Sequence, residues 1–134
     1  MIMEPEYSTH LWERALTSFT AAKANLIIDP DTAANRAYYA AFNAISALFA
    51  LEGQYFRKHS GVQSALHKQL IHTSRLTEQL GSDYDKLIEL RAVADYGAAK
   101  HVFPEKAELS IGYAHGILLA IHNVRPEAFP IYTL

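Results

Sequence analysis

Asp31 to Gly53, DTAANRAYYAAFNAISALFALEG, is the stretch whose reading decides the fold. No charge interrupts it between Arg36 and Glu52, and Tyr38, Tyr39, Phe42, Ile45, Leu48, Phe49 and Leu51 stand among eight alanines. A side-chain oxygen of Asp31 or Thr32 can accept the first free N–H groups of a helix, and Gly53 can end it in a left-handed turn. Apolar residues at 34, 37, 38, 41, 45, 48 and 49 keep the helical period, yet 39, 42, 47 and 51 are apolar too. A helix apolar on every side cannot lie with one face in water. It must be surrounded by other helices, or by helices and a second subunit. The uncharged run of fifteen residues falls short of the roughly 20 needed to cross a bilayer, and Asn43 and Ser46 interrupt it. The stretch reads as a buried central helix.

Outward from it, the other segments read as helices as well. A first helix is expected from about Glu6 to Leu26, with Leu11, Ala15, Phe19, Ala22 and Leu26 on one stripe and Trp12 beside it. Asp29-Pro30-Asp31 breaks the chain, because the residue before a proline avoids the helical region. Ser60-Gly61-Val62-Gln63 has capping-box spacing and starts a third helix that runs to about His72. Thr73 to Gly81 is polar and reads as a loop with a short turn around Leu76 and Leu80. A fourth helix, capped by Ser82 or Asp83, runs through Leu87, Leu90 and Ala94 to about Ala99. Pro104 opens the last helix at its first position, with Glu105 and Glu108 near the positive end of its dipole. That helix continues to Val124, and a short tail, 125–134, follows. Nothing alternates with period two. The chain is expected to be one all-α domain, residues 1–134, an up-and-down bundle of about five helices with its core at about 8–124. Gly112 and Gly116 are expected to let the last helix approach the alanine side of the central one.

Composition excludes several chemistries. There is no cysteine, so disulfides, thiolate zinc sites, iron–sulfur clusters and cysteine nucleophiles are out. The net charge of −2 argues against a generally basic nucleic-acid coat and leaves room for a local patch. The mixed, acidic start MIMEPEYSTH lacks an export signal, so cytoplasm is the expected location. Seven histidines invite a metal, but His115 and His122 are seven apart, His67 and His72 are five apart, and no Glu-x-x-His pattern occurs. Neither a metal nor another cofactor is expected. Gly-rich phosphate loops and serine nucleophile elbows are absent too.

Two polar clusters remain. Arg57-Lys58-His59-Ser60-Gly61 sets cations before a helix start and could hold a phosphate, or could be a solvated loop. Glu89-Leu90-Arg91-Ala92-Val93-Ala94-Asp95-Tyr96 places Arg91 and Asp95 four apart. They could be an ordinary ion pair, or Arg91 could bind an anion in a cleft.

Asn35-Arg36-Ala37-Tyr38-Tyr39-Ala40-Ala41-Phe42, Lys58-His59-Ser60-Gly61-Val62 and Leu90-Arg91-Ala92-Val93-Ala94-Asp95-Tyr96-Gly97, in that order, resemble the HEPN family. The likeness is greatest to the small stand-alone prokaryotic members with an R-x-x-A-D-Y signature, and it spans roughly Leu11 to Val124. The resemblance implies a helical bundle that forms a homodimer and is paired with a minimal nucleotidyltransferase in a toxin–antitoxin-like module. It also implies, for many members, metal-independent RNA cleavage by an R-x4-6-H motif at the dimer interface. Here Arg91 matches the arginine, but Tyr96 stands where the histidine would be. Tyrosine titrates near 10, so about one in a thousand is a phenolate at neutral pH, a poor general base. His101 is ten residues from Arg91, about 15 Å along an ideal helix.

Three functions compete. The first in weight is a module that binds a nucleotide or RNA phosphate through Arg91, Asp95, Arg57, Lys58 and His59 and docks the nucleotidyltransferase, with Tyr96 a possible nucleotidylation acceptor. The second is an endoribonuclease toxin using Arg91 with Tyr96, or with His59 from the second subunit. The third is a structural dimeric module. Tyr38 or Tyr39 could turn a hydroxyl toward Arg91, or both rings could simply pack in the core.

Overall fold

Asp29, not Asp31 or Thr32, caps the central helix. In the computed structural model, which describes residues 6–132 and 134, its Oδ1 accepts from the Thr32 N–H at 3.3 Å and its Oδ2 from the Thr32 hydroxyl at 2.6 Å. Pro30 then takes the first helical position, where its missing N–H costs nothing. Those bonds, the hydroxyl first, hold the Asp29 pKa below its ordinary value. Asp31 has a different task. Its Oδ1 accepts from the Val102 N–H at 2.7 Å and its Oδ2 meets His101 Nδ1 at 2.6 Å, tying a distant loop to this end of the bundle.

Among the described residues five α-helices follow in order: α1 Glu6–Asn25, α2 Pro30–Leu51, α3 His59–Ala65, α4 Glu78–Tyr96 and α5 Pro104–Val124. No strand occurs among the described residues. Among the described residues no helix is long and apolar enough to cross a membrane. α2 is the hub and packs on α1, α4 and α5. None of its residues is exposed, and Tyr38, Ile45, Leu48 and Phe49 are fully buried. Each such side chain stabilises the fold by about 1.5–3 kcal/mol relative to exposure. One stripe of α2 is only half covered: Asn35, Arg36, Tyr39, Phe42, Asn43 and Ser46. Gly53 ends the segment with φ of 84°, the left-handed turn expected of it.

Several boundaries differ from the expectations. The capping box at Ser60 does not form. Lys58 occupies the cap position without a side-chain bond, and His59 is already helical. After seven residues the helix widens into a π segment, Leu66–Ile71. α4 begins a full turn before Ser82, because the Thr77 hydroxyl caps it by accepting from the Leu80 N–H. It stops at Tyr96 rather than Ala99, and Ala98 takes a positive φ of 53°. Gly112 and Gly116 do not seat α5 on α2. A Cβ at Gly112 would meet nothing within 4 Å, and one at Gly116 only Leu80 of α4 at 3.9 Å. α5 instead buries Ala114, Ile117, Leu118 and Ile121. The core also extends past Val124, since Phe129 in the tail is fully buried.

Candidate functional site

Where the first turns of α2 meet the end of α4, five polar side chains form one chain. Arg36 donates from Nε and Nη2 to Asn35 Oδ1 at 2.9 and 2.7 Å. Asn35 Nδ2 donates to both Asp95 oxygens at 2.9 and 3.1 Å. Asp95 Oδ2 lies 2.8 Å from Arg91 Nε, and Arg91 Nη2 donates to the Tyr39 hydroxyl at 3.0 Å. Nε is buried and meets Asp95 off its N–H line, so this is a charge contact rather than an aligned hydrogen bond. The side chains of Arg91 and Asp95 are only 22% and 24% exposed, unlike a solvated surface pair. Among the described residues, Arg91 Nη1 has no hydrogen-bond partner.

Aromatic rings wall the guanidinium. Its carbon lies 5.3 Å from the Tyr38 ring centre, 5.4 Å from Tyr39 and 5.8 Å from Tyr96. Ring faces are electron-rich and favour a cation there. Burial works against the Arg91 charge, but Tyr39, Asp95, Tyr96 and Tyr38 outweigh it and raise its pKa further. The arginine is a fixed positive charge.

His59 belongs to the same cluster and to the same subunit. Its Nδ1 lies 2.9 Å from the Tyr38 hydroxyl, and its ring stacks on Phe42 at 4.3 Å and 26°. It also meets the Tyr39 ring edge-on at 5.7 Å. Burial first, and the Arg91 charge second, push its pKa below the ordinary histidine value, so it is neutral at pH 7. Burial also raises the Tyr38 pKa, and raises that of Tyr84, stacked 5.9 Å behind it, much further. Both hydroxyls keep their protons.

Of the residues singled out in the sequence, Arg91, Asp95, Tyr96 and His59 therefore stand together. Tyr96 is the outer member, 73% exposed, with no hydrogen bond from its hydroxyl among the described residues. Arg57 and Lys58 are exposed beside His59 and bond to none of this cluster. Both central tyrosines turn hydroxyls into the cluster, Tyr39 to Arg91 and Tyr38 to His59. Sequence reasoning gave no role to Asn35, Arg36 or Phe42. The signal was present as two polar residues one turn before a tyrosine pair inside a buried helix.

Three of the remaining histidines have local tasks. His67 Nε2 lies 2.9 Å from Asp85 Oδ1, which Gln63 also reaches at 3.0 Å. His122 Nδ1 donates to the Phe129 carbonyl at 2.7 Å, and His115 stacks beside Phe19. Among the described residues no three His, Asp or Glu side chains converge as metal ligands. A groove of about 990 Å³ lies between the π segment, α4 and the end of α5 and touches none of the Arg91 cluster. A groove of about 800 Å³ between α1 and α2 does share walls with it, through Tyr39 and Phe42.

Comparison with known proteins adds to this geometry. A family model described as HEPN domain matches residues 8–124. A protein of Thermotoga maritima named "UPF0332 protein" is 37% identical over 93 residues, 69% of this chain and 70% of that one. "Putative toxin MJ0142" of Methanocaldococcus jannaschii is 32% identical over 85 residues, 63% of this chain and 58% of the relative. The crystal structure of TT1696 from Thermus thermophilus shares the fold, with a TM-score of 0.72 at 20% identity over 87% of this chain and 96% of that one.

Proposed function

The chain belongs to the HEPN domain family, and from that membership and the cluster around Arg91 we propose that it binds a phosphate of a nucleotide or of RNA. The observation that carries this reading is the Arg91 guanidinium itself. It is charged, held in place from Nε and Nη2, walled by three rings, and left with Nη1 for a ligand. A preordered guanidinium loses little side-chain entropy on binding an oxyanion. Arg57 and Lys58 add exposed positive charge beside His59. Calorimetry with nucleotides and short RNAs tests this. Arg91→Ala is expected to lower affinity at least tenfold, and equal affinity would end the proposal.

The module-level reading joins this to a partner. Its supports are family membership and the toxin name of the Methanocaldococcus relative. In it, two copies pair and dock a minimal nucleotidyltransferase. Ile27, Ile28, Phe103 and Leu109 are exposed in the single chain and offer apolar surface for such contacts. Tyr96, exposed beside Arg91, is the proposed acceptor: its hydroxyl attacks the α-phosphate of a nucleoside triphosphate and pyrophosphate leaves. Co-expression followed by intact-mass measurement reads one nucleotidyl increment in the parent and none in Tyr96→Phe. Sedimentation gives the oligomeric state.

The position of His59 favours a second reading, an RNA-cleaving site. With Nδ1–H donating to the Tyr38 oxygen, Nε2 is free to take the proton of a ribose 2′-hydroxyl. That oxygen bonds to phosphorus, the bond to the 5′-oxygen breaks, and water returns a proton to the leaving oxygen. Arg91 would balance the charge on the phosphate. His59→Ala is expected to bind RNA and not cut it; intact RNA with the parent protein would eliminate this reading.

A further inference from the structure

The groove between α1 and α2 opens directly off the Arg91 cluster, and its floor is the half-covered stripe of α2. Tyr39 and Phe42 are common walls, with Arg91 and His59 on one side and Arg14, Arg36 and Asn43 on the other. Arg36 holds its guanidinium carbon 4.9 Å from the same Tyr39 ring that Arg91 approaches to 5.4 Å, so the two cations are at most about 10 Å apart. Arg36 uses Nε and Nη2 on Asn35 and, among the described residues, keeps Nη1 unpartnered. Arg14 is exposed on the opposite bank, with Glu13 as the groove's one carboxylate. Beyond Phe42 the exposed pair Tyr7 and Tyr55, 5.7 Å apart, extends the aromatic line.

Cations spaced along a groove with rings between them are what a single nucleic-acid strand needs. The backbone follows the charges, and bases stack on aromatic faces with little regard to sequence. From Arg36 to Asn43, the α2 residues that line it, the groove is about 10 Å long, room for at most about three stacked nucleotides. A mononucleotide needs only the Arg91 cluster. We propose that the α1–α2 groove is a second subsite, holding the nucleotides of a single RNA strand that flank the phosphate at Arg91. The preferred ligand is then an oligonucleotide rather than a free nucleotide. This inference rests on the reading of Arg91 as a phosphate site.

Charge-altering variants on the groove alone separate the two. Arg14→Glu and Asn43→Asp touch neither Arg91 nor His59, and Arg14 is exposed, so its replacement leaves the fold intact. Anisotropy with a dye-labelled single-stranded 12-mer RNA of mixed sequence is expected to show a tenfold or greater loss of affinity for each variant. The slope of log affinity against log salt should become shallower by about 0.7 for each phosphate that is no longer neutralised. Calorimetry with AMP should show no change. Parent-like RNA binding by both variants, or equal losses for AMP and RNA, would overturn the subsite. If Arg91→Ala binds AMP and RNA as the parent does, the Arg91 reading falls and the subsite with it. If Arg14→Glu converts a dimer to monomers in sedimentation, the groove is an interface between copies and the proposal is wrong.

Discussion

His59 is a titrating group held neutral by its surroundings, and that has two measurable consequences. Burial is the larger cause of its lowered pKa and the Arg91 charge the smaller. Removing the smaller cause with Arg91→Gln should raise the NMR titration midpoint of His59 toward, but not to, the ordinary value near 6.5. An unmoved midpoint would mean that the two groups do not interact. The second consequence concerns stability. In the unfolded chain His59 takes a proton near pH 6.5, whereas in the folded chain it does so only at lower pH. Its stability contribution is therefore complete above about pH 6.5 and is lost as pH falls through the folded value. Thermal melts from about pH 7.5 down to about pH 5 should decline more steeply for the parent than for His59→Gln. Parallel curves would show that the imidazole is as free to protonate in the fold as outside it. Arg91, His59 and Asp95 were legible as candidates from the sequence. Their meeting was not, because it depends on α2 lying between α3 and α4 and supplying Tyr38, Tyr39 and Asn35 from one turn.

Two glycines separate what a helix wants locally from what its neighbours demand. Gly112 lies exposed in α5 with open space where a Cβ would go. Gly112→Ala should therefore gain close to the full helix-propensity difference, about 0.8–1 kcal/mol, read as a Tm rise of about 4 °C. Gly81 is buried in α4, and a Cβ there would come 2.9 Å from His67 Cε1 and 3.1 Å from Ile71 Cγ1. The same propensity gain is then opposed by overpacking of about 1–3 kcal/mol and by a strained His67–Asp85 contact. Gly81→Ala should lower stability by about 1–2 kcal/mol. A Tm at or above the parent's would show that the π segment gives way freely. Gly81 also explains a missed boundary. In sequence it reads as loop punctuation, and only the packing of His67 on α4 shows why a helix tolerates it. The all-α class and the burial of α2 were readable because periodicity and composition are local to each segment. The π segment was not, since a widened turn leaves no mark in the spacing of apolar residues.

At the scale of the whole molecule, the last residues complete the sheath around α2. The tail after α5 turns back so that Phe129, fully buried, packs on the Trp12 ring at 5.2 Å. Two bonds fasten it: Trp12 Nε1 donates to the Pro130 carbonyl at 2.8 Å, and His122 Nδ1 donates to the Phe129 carbonyl at 2.7 Å. The sequence pattern stopped at Arg125-Pro126 because a lone aromatic in a proline-containing tail has no period to report its burial. The physical consequence is that α1, the start of the bundle, is held by the end of the chain. Phe129→Ala removes a large buried ring that a short tail can only partly collapse around, so the loss should be about 3–5 kcal/mol. Against a total of about 5–15 kcal/mol for a domain, that is a large fraction, and the Tm should fall by about 12–20 °C. Trp12 emission should shift to the red in the folded variant as water reaches the indole. Tyr132→Ala, at an exposed position of the same tail, should stay within about 0.5 kcal/mol of the parent. A Phe129→Ala protein that melts with the Tyr132→Ala control would show that the bundle closes without its tail.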